Sequence, residues 1–509
     1  MTTTRTTTAL CALALAWGLA LPGNAQAQTI TIGLQDDPDM LDPDLGRTFV
    51  GRIVFAALCD KLVDITPDLD FAPMLATDWQ WSDDAMQLAF DLRDDVVFHD
   101  GTKFDAEAVR FNIERSLNLP GSNRASEIRP VREVEVAGDY RVVLHLNEPF
   151  APLLAALSDR AGMMVSPTAA RAADEAGRPF ANELVCAGPY TLVDRVVQDR
   201  IIVERFADYY DPDSVSAQRL VFRTIPDSTV RLANLQAGDL DLAERIAPTD
   251  LDTVRNDANL ELVTTTSLHY HGIRINHANG PRAETNPLRD PNVRAALDHA
   301  IDRVALNQVA FDGEFMPGNQ PVAPTNPFYN ADVPVPPRDV EAARAALAEA
   351  GLDRVSFELL VANNPEQMRV GEIIQAMVAE AGIDVQIRAS EFAAALDAMT
   401  RGDFDAMLVG WSGRVDPDGN VHTFYDSQGG LNDGRYSNER VDELINRARQ
   451  VGDVAERQRL YAEAFEIITQ ERASITLYHN THLYGVRAEV EGFTPYPDGL
   501  IRPFGMVKN

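Results

Sequence analysis

The chain has 509 residues, with 45 Lys+Arg against 77 Asp+Glu and a formal net charge of −32 at pH 7. At 45% apolar and 24% charged, its composition is ordinary globular and its length that of two to four domains, which excludes a disordered chain, a collagen-like repeat and a disulfide-dense miniprotein. So acidic a chain is repelled by nucleic acid and by anionic membrane surfaces. Lys61, Lys103 and Lys508 are the only lysines, so 42 of the 45 basic residues are arginine, the mark of a G+C-rich genome or of a salt-adapted acidic surface.

Residues 1–27 read as a secretory signal. Arg5 gives a positive start, ALCALALAWGLAL is apolar but too short to span a bilayer, and Ala25-Gln26-Ala27 is a small-x-small cleavage pattern. Cys11 is an apolar-stretch residue discarded with the leader, because Leu10 and Thr8 do not make a lipid-attachment site. Cleavage after Ala27 removes one base and no acid, which takes the net charge to −33. No later run of about 18 apolar residues follows, so the expected product is exported, soluble and periplasmic. Two cysteines then remain, Cys59 and Cys186. An even pair in an oxidising compartment reads as one disulfide, closing a loop of more than 120 residues, and without CxxC spacing it is a poor metal site.

In chain order, TITIGL alternates with period two and predicts a strand, and DDPDMLDPDLG a loop. MQLAFDLR and YRVVLHL predict strands around the helix DAEAVRFNIERSL, with Asp105 as N-cap and Glu107 in its first turn. His99 belongs to the turn His99-Asp100-Gly101. YTLVDRVV, RIIVERF and RLVFRTI predict strands, VRLANLQAG a helix ending at Gly238, and DLDLAE a further strand. From residue 291 helices and strands alternate: PNVRAALDHAIDRVALNQVAF, RDVEAARAALAEAG, VSFELLVA, PEQMRVGEIIQAMVAEAG, IDVQIRA, EFAAALDAMTRG and FDAMLVGW. That alternation predicts an α/β domain with a largely parallel sheet. A helix from Ser437, another through GDVAERQRLYAEAFEIITQ, and short strands close the chain.

Signatures of catalysis are missing: no GxSxG, HExxH, GxxxxGK[ST] or strand-borne GxGxxG occurs. His269 and His271 alternate on one face of a strand and His479 and His482 lie near the end, without a thiolate or acid at ligand spacing. With 77 carboxylates, a pairing of two acids in sequence carries no information. The most distinctive segment is GWSGRVDPDGN, residues 410–420, directly after a strand. It offers an aromatic platform (Trp411), a guanidinium (Arg414), three acceptors (Asp416, Asp418, Asn420) and glycines that let backbone approach a guest. Loops at the C-terminal ends of strands in α/β domains are where ligands sit.

LDPDLG, PMLATDWQWSDD, LRDDVVFHDGTKFDAEAVRFNIER, CAGPYTL, VRLANLQAGDLDL, DPNVRAALDHAIDR and GWSGRVDPDGN, in that order, resemble the extracytoplasmic solute-binding proteins of ABC importers, family 5, the dipeptide, oligopeptide and nickel group. The resemblance implies an α/β, two-lobed periplasmic-binding-protein fold (type II, cluster C) with an extra α+β subdomain in lobe I. Lobe I would comprise 28–65, 195–275 and 485–509, the subdomain 66–194 and lobe II 276–484, with HYHGIRIN and LYHNTHLYGV as hinge crossings. It also implies a monomeric, non-enzymatic protein without a cofactor, which delivers a short peptide or peptide-like solute to an inner-membrane permease and its ATPase.

Peptide-binding relatives often hold the ligand's α-amino group with an aspartate shortly after the GW tryptophan. The matching position here is Arg414, with Asp416 two residues on. Either Asp416 takes over that role, or Arg414 binds a carboxylate and the ligand is an anionic peptide or opine-like conjugate. The expected ligand contacts are therefore Trp411, Ser412, Arg414 and Asp416, with Arg47 from lobe I, Asn363 and Asn364 at the end of VSFELLVA, and Tyr270. The competing readings are a metal (nickel) chelate held by the hinge histidines, an exported hydrolase, and a binding module for a receptor or chaperone.

Overall fold

The computed structural model describes residues 29–509, so the expected leader 1–27, with Cys11, lies outside the described residues. Two sheets face each other across a cleft. The first has seven strands in the order 260–266, 481–487, 242–243, 29–34, 219–224, 200–205, 190–196. Its centre is Thr29–Leu34, where Ile30, Ile32 and Leu34 are buried. This strand runs parallel to Arg219–Thr224 and to Leu242–Ala243. The segment DLDLAE contributes only those last two residues to the sheet.

The second sheet has six strands in the order 316–317, 474–479, 270–275, 406–411, 355–362, 383–390. Here the expectation of a largely parallel sheet is corrected. Val355–Ala362 pairs parallel with Ile383–Ser390 and Ala406–Trp411, while the other three pairings are antiparallel. The parallel strands are joined through the helices Pro365–Ala379 and Phe392–Thr400, which return the chain to the same end. Tyr270–Ile275 arrives from the other sheet, and Ser474–His479 leaves for it, without such a crossover.

The chain passes from the first sheet to the second at 267–269 and returns at Asn480. The two crossings touch, with Ser267 N donating to Asn480 O at 3.1 Å. Tyr190–Val196 and Thr481–Arg487 belong to the first sheet and Tyr270–Ile275 to the second. A four-stranded antiparallel sheet, within 76–146, packs on the helix Ala106–Asn118, capped by Asp105 accepting from Ala108 N at 3.0 Å. It has its own core, including Phe90, Phe98, Phe104 and Leu144.

The periodic segment 291–311 is two helices, Pro291–Ala300 and Arg303–Phe311. Asp302 restarts the helix by accepting from Ala305 N at 2.9 Å, a capping bond that interrupts an otherwise continuous apolar stripe. Gly238 ends the helix Ser228–Ala237 at φ 82°, a left-handed conformation that glycine adopts without strain. Cys59 and Cys186 form a disulfide with Cα atoms 4.9 Å apart, joining the end of the helix Phe49–Leu58 to a segment 127 residues later.

Candidate functional site

The cleft between the sheets has a volume of about 2670 Å³ and is lined from both sides. Thr48, Phe49, Arg124, Asp159 and Arg160 come from one wall, Asn363, Glu366, Trp411 and Arg414 from the other, and His269, His271 and His482 from the crossing segments.

The turn 411–420 joins the strand Ala406–Trp411 to the helix Asp418–Tyr425. Gly413 has φ 75°, and a Cβ there would fall 2.1 Å from Leu268 O, so only glycine fits. Trp411 Nε1 donates to Gly419 O at 3.0 Å and to Asn420 Oδ1 at 3.1 Å. Asn420 also accepts from Arg414 N at 2.7 Å and donates to Arg414 O at 3.0 Å, clamping the turn shut. The Arg414 guanidinium lies 4.7 Å from the Trp411 ring centre. Its Nη1 donates to Gly413 O at 2.7 Å and to Ser412 Oγ at 3.3 Å.

Two expectations for this region are corrected. Asp416 is not free to accept from a ligand ammonium: Arg457 Nη1 and Nη2 donate to its two oxygens at 2.8 and 2.7 Å, a bidentate pair that is almost fully buried. Tyr270 is not on the cleft wall; it is buried, donates its hydroxyl to Asn420 O at 3.1 Å and accepts from Arg274 Nη2 at 2.9 Å. Its effect is to brace Arg274, which does line the cleft between the rings of Tyr270 and Phe424. Asp418 is likewise engaged, 3.0 Å from Arg449 Nε, and burial pushes its carboxyl up to about 7 against the pull of Arg449.

Trp411, Ser412, Arg414, Arg47, Asn363 and Asn364 all line the cleft. Arg47 is largely exposed, 3.9 Å from Asp39. Asn363 is exposed, whereas Asn364 accepts from Gln367 N at 2.9 Å and starts the helix Pro365–Ala379.

Residues that sequence reasoning missed stand opposite the turn. Asp159 is buried and accepts from Arg52 Nε at 3.1 Å, with Arg52 Nη2 2.9 Å from its other oxygen. Arg414 Nε reaches the same carboxylate from the other wall at 3.2 Å, an ion pair that spans the cleft. Burial alone would raise Asp159, but Arg52, Arg414, Arg160 and Arg124 overcome it and hold the carboxyl well below its usual range. Burial pulls Arg414 down to about 10 despite Asp159. Glu366, also absent from the expected set, stands on the same wall as the turn and is solvent-exposed, with its carboxyl raised by the enclosing cleft against Arg245 and Gln367. Asp-Arg at 159–160 is a weak signal in a chain this rich in both residues.

The histidines fall at the crossings. His269 lies edge-on to Phe49 at 5.4 Å and to His482 at 5.4 Å, and His271 stacks on Tyr478 at 5.0 Å. Burial pushes His271 down to about 3 and His479 and His482 to about 4, so they are neutral near pH 7. Among the described residues, no group of three or more His, Cys, Asp or Glu is arranged to hold a metal ion.

The chain is similar to proteins of known description along nearly its whole length. A probable di/tripeptide-binding protein of Pseudomonas aeruginosa is 29% identical, covering 94% of this chain and 96% of its own. A glutathione-binding protein of Shigella flexneri is 27% identical, covering 96% of each. The Helicobacter pylori periplasmic binding protein solved with the peptide STSA superposes with a TM-score of 0.85 at 24% identity, covering 94% of this chain and 98% of that one. Its fold, α/β and two-lobed, is the type II periplasmic-binding-protein fold. The model of the bacterial extracellular solute-binding proteins, family 5, matches residues 70–432, more than half of the chain, and the chain belongs to that family.

Proposed function

We propose that this protein is the exported, periplasmic solute-binding component of an ABC importer, capturing a short peptide or peptide-like solute between its lobes and passing it to a membrane permease driven by ATPases. The observation that carries this reading is the cleft itself. Its walls come from two sheets joined by only two strand crossings, and Arg414 and Asp159 meet across it. A hinge of that kind closes when a guest touches both walls, because those contacts exist only in the closed state. The relatives named for di/tripeptides and glutathione support the ligand class. Trp411 packs on the solute, and Arg414 meets a carboxylate with its planar fork. Arg47 and Asn363, with polar groups open to the cleft, hydrogen-bond its backbone from opposite walls.

Titration calorimetry with a panel of di- and tripeptides tests the assignment. Arg414→Ala and Trp411→Ala are each expected to weaken the best ligand at least tenfold. No change in either would place the ligand elsewhere. Small-angle scattering tests the hinge: a tight ligand should reduce the radius of gyration of the free protein, and no reduction in any ligand-bound sample would remove closure.

A further inference from the structure

The charge of the cleft runs against the charge of the molecule. In a chain of net charge −32, four guanidiniums, those of Arg52, Arg124, Arg160 and Arg414, converge where the walls meet. Among the described residues, two carboxylates pair with them directly, Asp159 at the centre and Glu127, which accepts from Arg124 Nη1, while Asp498 acts on Arg52 through charge alone and is itself paired with Arg502. Arg52, Arg124 and Arg160 are each no more than 4% exposed. Arg160 Nη1 donates to Gly46 O at 2.8 Å, but its Nε is 3.9 Å from Asp159, too far for a hydrogen bond. Among the described residues, Arg52 Nη1, Arg124 Nε and Arg160 Nε are buried without a hydrogen-bond partner. Asp159 Oδ2, an acceptor in the same cluster, is likewise without a hydrogen bond although Arg52 and Arg414 lie 2.9 and 3.2 Å away. Buried donors are nearly always satisfied, and buried charge without a counter-charge is costly, so three such donors against one such acceptor point to a further acceptor. Burial and the neighbouring Arg124 depress the Arg160 guanidinium well below its usual range, against the pull of Asp159. Arg124, Arg160 and Arg414 line the cleft, whereas Arg52 does not.

We propose that the cleft selects a solute bearing two carboxylates, one seated on Arg124 and Arg160 and the other on Arg414. This rests on the importer reading of the same cleft and narrows it. Two negative charges balance the cluster, and because they meet arginines of opposite walls they also draw the lobes together. A planar fork suits a carboxylate, and the desolvated setting makes each ion pair stronger than the exposed pairs elsewhere on the surface.

Titration calorimetry on the whole exported chain, with Gln-Gln, Gln-Glu, Glu-Glu, Lys-Lys and glutarate, tests the proposal. Affinity is expected to rise at least tenfold from Gln-Gln, with one carboxylate, to Gln-Glu, with two, and to gain little more with Glu-Glu, which has three, with Lys-Lys the weakest. Arg160→Gln, and independently Arg124→Gln, should shrink the Gln-Glu advantage to under threefold. The wild-type ranking does not depend on either variant folding. Equal binding of Gln-Gln and Gln-Glu, or preference for Lys-Lys, overturns the proposal and leaves the peptide reading standing. Binding of glutarate without any dipeptide supports the diacid and removes the peptide. Failure of all five to bind overturns both.

Discussion

On one side of the cleft, the polar groups of residues 411–420 bond to one another and to Arg449 and Arg457. On the facing side, Arg52, Arg124 and Arg160 crowd around Asp159 and leave buried nitrogens without partners. The first wall is braced by its own hydrogen bonds, with Asp418 Oδ1 and Arg449 Nε held together by charge at 3.0 Å rather than by a hydrogen bond, and it presents Trp411 and Arg414 in one orientation. The second carries charge that its own residues do not balance. Acidic residues of the turn that look available in sequence are spent on holding its shape, while the buried, unpartnered guanidinium nitrogens lie on a wall with no distinctive motif.

Several substitutions separate the walls. Asp159→Asn should cost most, about 4 kcal/mol of stability in urea unfolding, because it strips three buried guanidiniums of their shared counter-charge. A loss under about 1 kcal/mol would mean that the arginines tolerate one another and would break the contrast. Asp416→Asn should cost about 3 kcal/mol by leaving Arg457 buried and unpaired, with ligand affinity unchanged within about twofold. The reverse pattern, intact stability with a large loss of affinity by calorimetry, would return Asp416 to the ligand site.

Acidification probes the crossings that join the walls. His479 and His482 are held at about 4 against an ordinary 6.5, so the unfolded chain binds more protons between those values. Their contribution is present above pH 6.5 and is lost as pH falls toward 4, up to about 3 kcal/mol for each imidazole, read from urea unfolding followed across that range. Asp159 stays ionised through this window, so the ion pair across the cleft should outlast the histidines. A midpoint that does not move from pH 7 to 4 would contradict buried neutral imidazoles. Smallest is Trp411→Phe, which keeps an aromatic face for Arg414 but loses the Nε1 bonds to Gly419 and Asn420; calorimetry should show an affinity loss of about 1 kcal/mol.

Much of the architecture was legible because it is written in local pattern. Period-two runs such as TITIGL and VSFELLVA are strands, and Asp105 and Gly238 cap helices where expected. The errors have equally local causes. The apolar stripe of 291–311 runs through the Asp302 cap unbroken, and alternation of helix and strand reveals nothing of strands that enter a sheet from elsewhere. At the site, GWSGRVDPDGN was recognisable as a turn following a strand, and it lines the cleft, but the partner that neutralises Asp416 lies 41 residues away, in a helix with no mark of that role.

The linear chain by itself determined the elements, the cysteine pair, the family and the turn that carries Trp411 and Arg414, since each depends on neighbours in sequence. Which acids are occupied and which arginines are not was decided only by folding. Asp159 meets Arg52 from 107 residues away, and Arg414 from the opposite lobe. Electrostatic balance depends on distance in space and on exclusion of water, and both exist only once the two sheets face each other.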